Sequence, residues 1–172
     1  MKSLVELHRE RISKTCIGSN STRGNLKEGG LNIIRQNLHR IVKLDDLVRS
    51  GSEEKFKSLL DSYTSKLKQK LGNPVKHEHW GLCRKAINLY LRDCYYNKII
   101  NEHFKLDKIA AYLETPIDSL AMKSLWKYTT SVKKSTIKRL NKITHQEWQK
   151  AATLLSKANG LPYRVDADLE IY

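Results

Sequence analysis

The sequence predicts an all-α protein, a compact bundle of about 7–9 helices in one domain. Three observations carry this. Apolar residues recur at helical spacing through much of the chain, strand-like alternation is nearly absent, and only three prolines and eight glycines interrupt 172 residues, each proline falling between periodic segments. A chain of this length buries a core without disulfide or metal staples.

The elements follow in order. Segment 18–30, with Gly18, Ser19, Asn20, Ser21, Thr22, Arg23, Gly24, Asn25, Gly29 and Gly30, reads as a loop that is mobile in the free protein. Residues 31–44 place Ile33, Ile34, Leu38, Ile41 and Val42 on one helical face. Ser52, followed by Glu53 and Glu54, starts a helix whose stripe of Phe56, Leu59, Leu60, Tyr63 and Leu67 runs towards Gly72, Asn73 and Pro74. Residues 82–103 read as a long central helix and 106–113 as a short one. Asp118 opens another, to about Tyr128. Thr144 with Glu147 three residues on reads as a capping box for a last helix that ends near Gly160 and Pro162.

Charge points to a partner. Lys and Arg total 32 against 18 Asp and Glu, a net +14 that biases the chain towards polyanions. Residues 1–70 carry 15 basic and 8 acidic groups and residues 131–150 carry 6 and 1, so basic flanks bracket a less charged centre. No apolar run approaches the roughly 20 residues of a membrane span, and no signal-peptide pattern is present. Three cysteines, Cys16, Cys83 and Cys94, fit no disulfide framework, which makes a reducing cytoplasm the expected location. The expected partner is DNA, met by a monomer with no cofactor.

Two constellations carry chemistry. On a helical wheel of the central helix, Lys85, Asn88 and Arg92 share one narrow stripe, opposite an arc of Cys83, Ala86, Ile87, Tyr90, Leu91 and Cys94. So apolar a helix is buried for much of its length, and its cations must face a cleft or an acidic partner. A lysine beside another cation in desolvated surroundings is a usable amine nucleophile. The competing reading is a pair of surface cations at the helix edge. The second constellation is Glu114-Thr115-Pro116-Ile117-Asp118-Ser119-Leu120, where Pro116 keeps Thr115 extended and Asp118 falls at an N-cap. A carboxylate there is at least a cap. If it sits at the mouth of a cleft, it can stabilise a developing positive charge or orient a water.

Two weaker patterns remain. His77, His79 and Cys83 have ligand-like spacing but lack a fourth partner, so no metal site is expected. Arg92-Asp93 with Asn97 resembles the Arg-polar-x-x-x-His signature of HEPN-type ribonucleases without its final histidine.

Lys85 near the start of a long helix, followed by Pro116-Ile117-Asp118 capping the next, resembles the helix-hairpin-helix superfamily of DNA glycosylases. The 33-residue separation of Lys85 and Asp118 is similar to that of the archaeal-type 8-oxoguanine glycosylases. Arg92 matches that family's second cation, and Trp148 its Trp-bearing last helix. Pro162-Tyr163-Arg164-Val165-Asp166 matches its Pro-Leu-His-Leu-Asp-type segment. Arg164 stands where that family has histidine, and Gly81 is the one glycine in the stretch His77–Gly81, where the hairpin has Gly-x-Gly. The resemblance covers about residues 76–172. It implies a glycosylase-like lobe joined to a basic helical lobe over 1–75, with a cleft between them.

The resemblance implies base excision from DNA. Asp118 would stabilise the oxocarbenium-like sugar, and Lys85 would either form a Schiff base, adding abasic-site lyase activity, or leave the attack to water. Trp148, Trp80 and Trp126, in that order, with Asn88 and Asp166, would hold the flipped base. Arg92, Arg23, Lys133, Lys134, Lys138, Arg139 and Arg164 would hold the DNA backbone. The departures from the family suit a bulky modified base, such as those of some phage DNA, and a role in antiviral defence. The alternatives are a non-catalytic DNA-binding module and a HEPN-like ribonuclease.

Overall fold

The structure, a computed structural model, describes residues 2–19, 26–72, 79–129 and 136–171. Among the described residues it is all-α, with nine α-helices, four short 3-10 helices and no strand. Arg23, Lys133, Lys134 and residues 20–25 of the 18–30 loop lie outside the described residues.

Helix α1 (Leu4–Thr15), to which no element was assigned from sequence, opens on a capping box of Ser3 and Glu6. Helix α2 (Gly30–Ile41) follows the stripe read at 31–44 and buries Ile34 and Leu38; α3 (Leu44–Val48) is a single turn beyond it. Helix α4 (Glu53–Leu71) starts as expected, with the Ser52 hydroxyl accepting the Lys55 N–H at 3.3 Å, and buries Phe56, Leu60, Tyr63 and Leu67.

The central helix is shorter than expected. Helix α5 (Trp80–Tyr96) breaks at Asn97, whose extended backbone ends it. The Asn97 side chain then caps α6 (Lys98–Phe104) by accepting the Ile100 N–H at 3.1 Å. A 3-10 helix spans Leu106–Tyr112. Asp118 caps α7 (Ser119–Leu125), which continues as a 3-10 turn over Trp126–Tyr128. Helix α8 (Lys142–Ala158) begins a turn earlier than Thr144 and Glu147 suggest. Its capping box is Asn141 with Thr144, asparagine being as good an N-cap as threonine. The helix terminates at Gly160, whose φ of 67° suits a residue without a Cβ. A 3-10 helix at Arg164–Ala167 and the short α9 (Asp168–Ile171) complete the chain.

These elements form two apolar cores. The larger wraps α5 with α1, α2, α4, α6 and the 106–112 segment, and runs from Ile17 to Leu113 with Ile137 and Val165 added. The smaller surrounds Trp148 with Ile117, Ala121, Met122, Leu125, Leu140, Ala151, Ala152, Leu155, Ala167 and Ile171. Along the chain the first core runs to Leu113 and the second begins at Ile117. Helix α5 thus belongs to the first core and α7 opens the second. At Gly81 the 137–140 segment lies so close that a Cβ would sit 2.5 Å from the Ile137 carbonyl oxygen. Close approach is therefore what that glycine permits.

Candidate functional site

Every residue from Gly81 to Leu91 is buried, so the polar side chains of α5 must find partners inside the protein. The stripe read from the sequence does so along its length. Lys85 Nζ donates to Asp118 Oδ2 at 2.7 Å, Asn88 Nδ2 donates to Glu114 Oε2 at 3.0 Å, and Arg92 binds Asp93 and Asp168. The acidic partners come from the 114–118 segment and from α9, which brings the two cores together along one line of α5.

Asp118 is held at both oxygens. Oδ2 meets Lys85, while Oδ1 accepts the N–H groups of Leu120 and Ala121, both at 2.9 Å. Lysine and backbone donors together make the surroundings of an anion. The pair is asymmetric in access: the Lys85 side chain is 5% exposed and the Asp118 side chain 20%. A reactant arriving from solvent meets the carboxylate edge first, with the amine directly behind it.

Asp168 was not foreseen. Burial pushes its carboxyl up, Arg92 opposes this, and the Asp118 and Asp93 carboxylates add to the rise. Asp118 and Asp168 therefore lie within each other's field. The buried Oδ1 of Asp168 has no hydrogen-bond partner among the described residues.

The segment leading to Asp118 is gripped from two sides. Arg84 donates to Glu114 through Nε at 2.8 Å and Nη2 at 2.9 Å, and through Nη1 to Asp61 at 3.0 Å and Thr64 at 3.3 Å. Gln149 of α8 mimics a peptide group towards Thr115: its Oε1 accepts the Thr115 N–H at 2.9 Å and its Nε2 donates to the Thr115 carbonyl at 2.8 Å. The Thr115 hydroxyl donates to the Arg164 carbonyl. Pro116 restricts Thr115 to an extended backbone, which leaves both peptide groups open to these partners. Lys142, at the start of α8, completes the frame by binding Asp61 at 2.6 Å.

His145 closes this network, with Nε2 3.7 Å from Glu114 Oε2 and 3.3 Å from Gln149 Nε2, and its ring edge-on to Trp80 at 5.4 Å. Burial lowers the imidazole to about 4, Glu114 opposing and Arg84 and Arg164 reinforcing. Burial alone would raise the Glu114 carboxyl, but Arg84, His145 and Arg164 hold it well below the ordinary carboxylate range.

These shifts give stability a pH dependence. Below about pH 6.5 an unfolded histidine takes a proton that the folded His145 refuses until about pH 4. Stability therefore falls as pH drops through that window, by about 3 kcal/mol. Glu114, depressed in the folded state, adds a further loss only below about pH 4.5. Urea midpoints measured from pH 7.5 to 4 should show the decline in wild type and a flatter curve above pH 4.5 in His145→Gln. Parallel curves would place the acid sensitivity elsewhere.

The other residues singled out in the sequence sort by exposure. Trp148, the first choice as a stacking platform, is fully buried at the centre of the second core, and its Nε1 has no partner among the described residues. Trp80 is half-buried, under the Arg84 guanidinium at 5.6 Å. Trp126 packs on Trp148 with ring centroids 6.2 Å apart and, at 36% exposed, is the most accessible residue of the three. Asp166 is buried and engaged, accepting the Tyr96 hydroxyl at 2.7 Å and the Tyr163 N–H at 3.1 Å. Asn88 is buried against Glu114, with its Oδ1 unpartnered among the described residues.

Among the basic residues, Arg139 is exposed and Lys138 half-buried. Arg92 is occupied by two carboxylates rather than standing as a lone cation beside Lys85. Arg164, read as a DNA contact, turns inward, donating to the carbonyls of Leu113 at 3.0 Å and Tyr112 at 2.7 Å and to Glu53 at 3.1 Å. A guanidinium so committed braces the chain leading into residues 114–118. The thiols of Cys16, Cys83 and Cys94 are free, and burial pushes each up to about 12, far from the range of a thiolate nucleophile.

Among the described residues no helix is long and apolar enough to cross a membrane. No family model, curated protein or solved structure matches the chain.

Proposed function

We propose that the protein is a DNA glycosylase that cleaves the N-glycosidic bond of a flipped, modified base. The observation that carries this reading is the 2.7 Å pair of Lys85 and Asp118, an amine buried behind a carboxylate that keeps an exposed edge. The net charge of +14 supports a polyanionic substrate.

In this reading the target nucleotide leaves the stack to reach the pair. The C1′–N bond breaks with its electron pair going to the base, and the Asp118 anion stabilises the positive charge developing on the sugar. Lys85 Nζ, after giving a proton to the adjacent carboxylate, bonds to C1′, and a second N–H proton passes to O4′ as the C1′–O4′ bond breaks, leaving a protonated Schiff base; if Lys85 stays protonated, water bonds to C1′ instead and gives its proton to Asp118. The departures from the 8-oxoguanine pattern suit a bulkier base, such as the modified bases of some phage DNA, with antiviral defence as the role.

The test is base release from a panel of duplexes, each carrying one modified base. Abasic product on at least one duplex is the expected result. Gel shift of DNA with no abasic product on any duplex would replace the enzyme with a DNA-binding module. Cleavage of RNA that is lost in Arg92→Ala and unaffected by Asp118→Asn would select a ribonuclease.

A further inference from the structure

Four of the 15 basic groups in residues 1–70 meet in one cleft. It lies between α1 and the end of α2 and has a volume of about 260 Å³. Lys2, Glu6, Arg9 and Glu10 line one wall, and His39, Arg40 and Lys43 line the other. Arg9 ties the cleft to α5 through the Tyr90 hydroxyl, and Tyr90 belongs to the arc opposite the Lys85 stripe. The cleft is therefore separate from the Lys85–Asp118 pair.

Its cations have bonding capacity to spare. The Arg9 guanidinium donates through Nε to the Tyr90 hydroxyl at 3.1 Å and through Nη2 to the carbonyls of His39 at 2.8 Å and Val42 at 2.9 Å, and it lies over the Phe104 ring at 5.4 Å. These contacts fix the fork in place, while Nη1 donates to no described residue. A guanidinium already held this way loses little freedom on meeting an anion. Arg40 and Lys43 stand exposed at the rim and form no ion pair among the described residues. The carboxylates keep acceptors open as well. Glu6 takes the Ser3 N–H on Oε2 at 2.9 Å, and Glu10 takes Lys2 on Oε1, 3.9 Å from His39 Nε2. Glu6 Oε1 and Glu10 Oε2 accept from no described residue.

A bare anion would use the cations and be repelled by the carboxylates, and a metal ion would meet the reverse. The backbone of duplex DNA brings no hydroxyl donors for the carboxylates. A sugar phosphate satisfies both walls, its phosphate on Arg9, Arg40 and Lys43 and its hydroxyls donating to Glu10 and Glu6. The volume, just below that of pockets for drug-sized ligands, matches a molecule of that size. We infer that the α1–α2 cleft is a second binding site, for a small sugar phosphate. It is independent of the glycosylase reading.

The test is calorimetric titration of the full chain at fixed ionic strength with ribose 5-phosphate, inorganic phosphate and ribose. Wild type should bind ribose 5-phosphate about tenfold more tightly than inorganic phosphate, the margin that hydrogen bonds to a charged acceptor give, and ribose not measurably. Arg40→Gln with Lys43→Gln, both exposed positions, should weaken the two phosphates alike by about tenfold. Glu10→Ala should remove most of the advantage of ribose 5-phosphate without weakening inorganic phosphate. Backbone amide signals of residues 39–43 should shift with ribose 5-phosphate, and those of Leu120 and Ala121 should not. Equal affinity for the two phosphates would make the cleft a general anion surface and overturn the inference. So would unchanged binding in the Arg40/Lys43 variant, a full sugar advantage in Glu10→Ala, or no binding of ribose 5-phosphate. Displacement of ribose 5-phosphate by a short DNA duplex would assign the cleft to nucleic acid and overturn it too.

Discussion

Arg84→Met is expected to lower stability by about 3–5 kcal/mol, read from urea unfolding at pH 7.5. Arg84 and Glu114 are both almost wholly buried and meet through two short hydrogen bonds. Methionine fills much of the volume, so the loss is electrostatic: Glu114 keeps its charge with Asn88 and a neutral His145 beside it and the field of Arg164 in place of two direct guanidinium bonds. Water does not reach it to compensate. Arg84→Lys should recover only part, since one ammonium cannot serve both carboxylate oxygens and also reach Asp61. Adding Glu114→Gln to Arg84→Met should restore some stability by removing the orphaned charge. The loss is large against the total of a domain of this size, so Arg84→Met measured within about 1 kcal/mol of wild type would mean that the network is not closed as described. The consequence for the site is direct. Glu114 lies four residues before Asp118, and the variants that loosen it should also loosen the carboxylate that faces Lys85.

What could be read from the sequence, and what could not, follows from the kind of interaction involved. Helices α2 and α4 were legible because apolar packing repeats with the helix. Helix α1 was not, because polar bonds hold it: Arg9 reaches the carbonyls of His39 and Val42 and the Tyr90 hydroxyl, Ser13 reaches the Arg35 carbonyl, and Leu4 and Leu7 face solvent. The break at Asn97 was missed because asparagine within an apolar pattern reads as a surface residue until its side chain is seen capping the next helix. Lys85 and Asp118 were legible as a pair because the helix stripe and the N-cap each fix a position. Gln149 on Thr115 left no trace, since a side chain bonded to backbone asks nothing of the residue type it meets. Asp168 lies in two short terminal helices with no periodicity to place it. Arg84 did carry a signal, a permanent charge within an unbroken buried run, and a search for its carboxylate would have led to Glu114.

The carboxylate and the amine should separate by substitution. Asp118→Asn preserves the fold of the site, because an asparagine oxygen still accepts the Leu120 and Ala121 N–H groups and asparagine is an N-cap of equal rank. What it removes is the negative charge facing the sugar and the countercharge of Lys85. Base release in single turnover should fall by about 10²–10³-fold, the range seen when one preorganised electrostatic contact to a transition state is lost. DNA affinity should hold or rise slightly, because a negative charge has left a phosphate-facing rim. Lys85→Gln should act on a different readout. It should abolish the covalent adduct that borohydride traps with DNA, while any release that persists reports attack by water. The two variants therefore answer different questions. Loss of release in Asp118→Asn with the adduct lost in Lys85→Gln assigns charge stabilisation to one residue and bond formation to the other. Unchanged release in Asp118→Asn would make the 2.7 Å pair a structural ion pair and nothing more, since the asparagine keeps the cap to Leu120 and Ala121 but loses both the charge and the acceptor that meets Lys85.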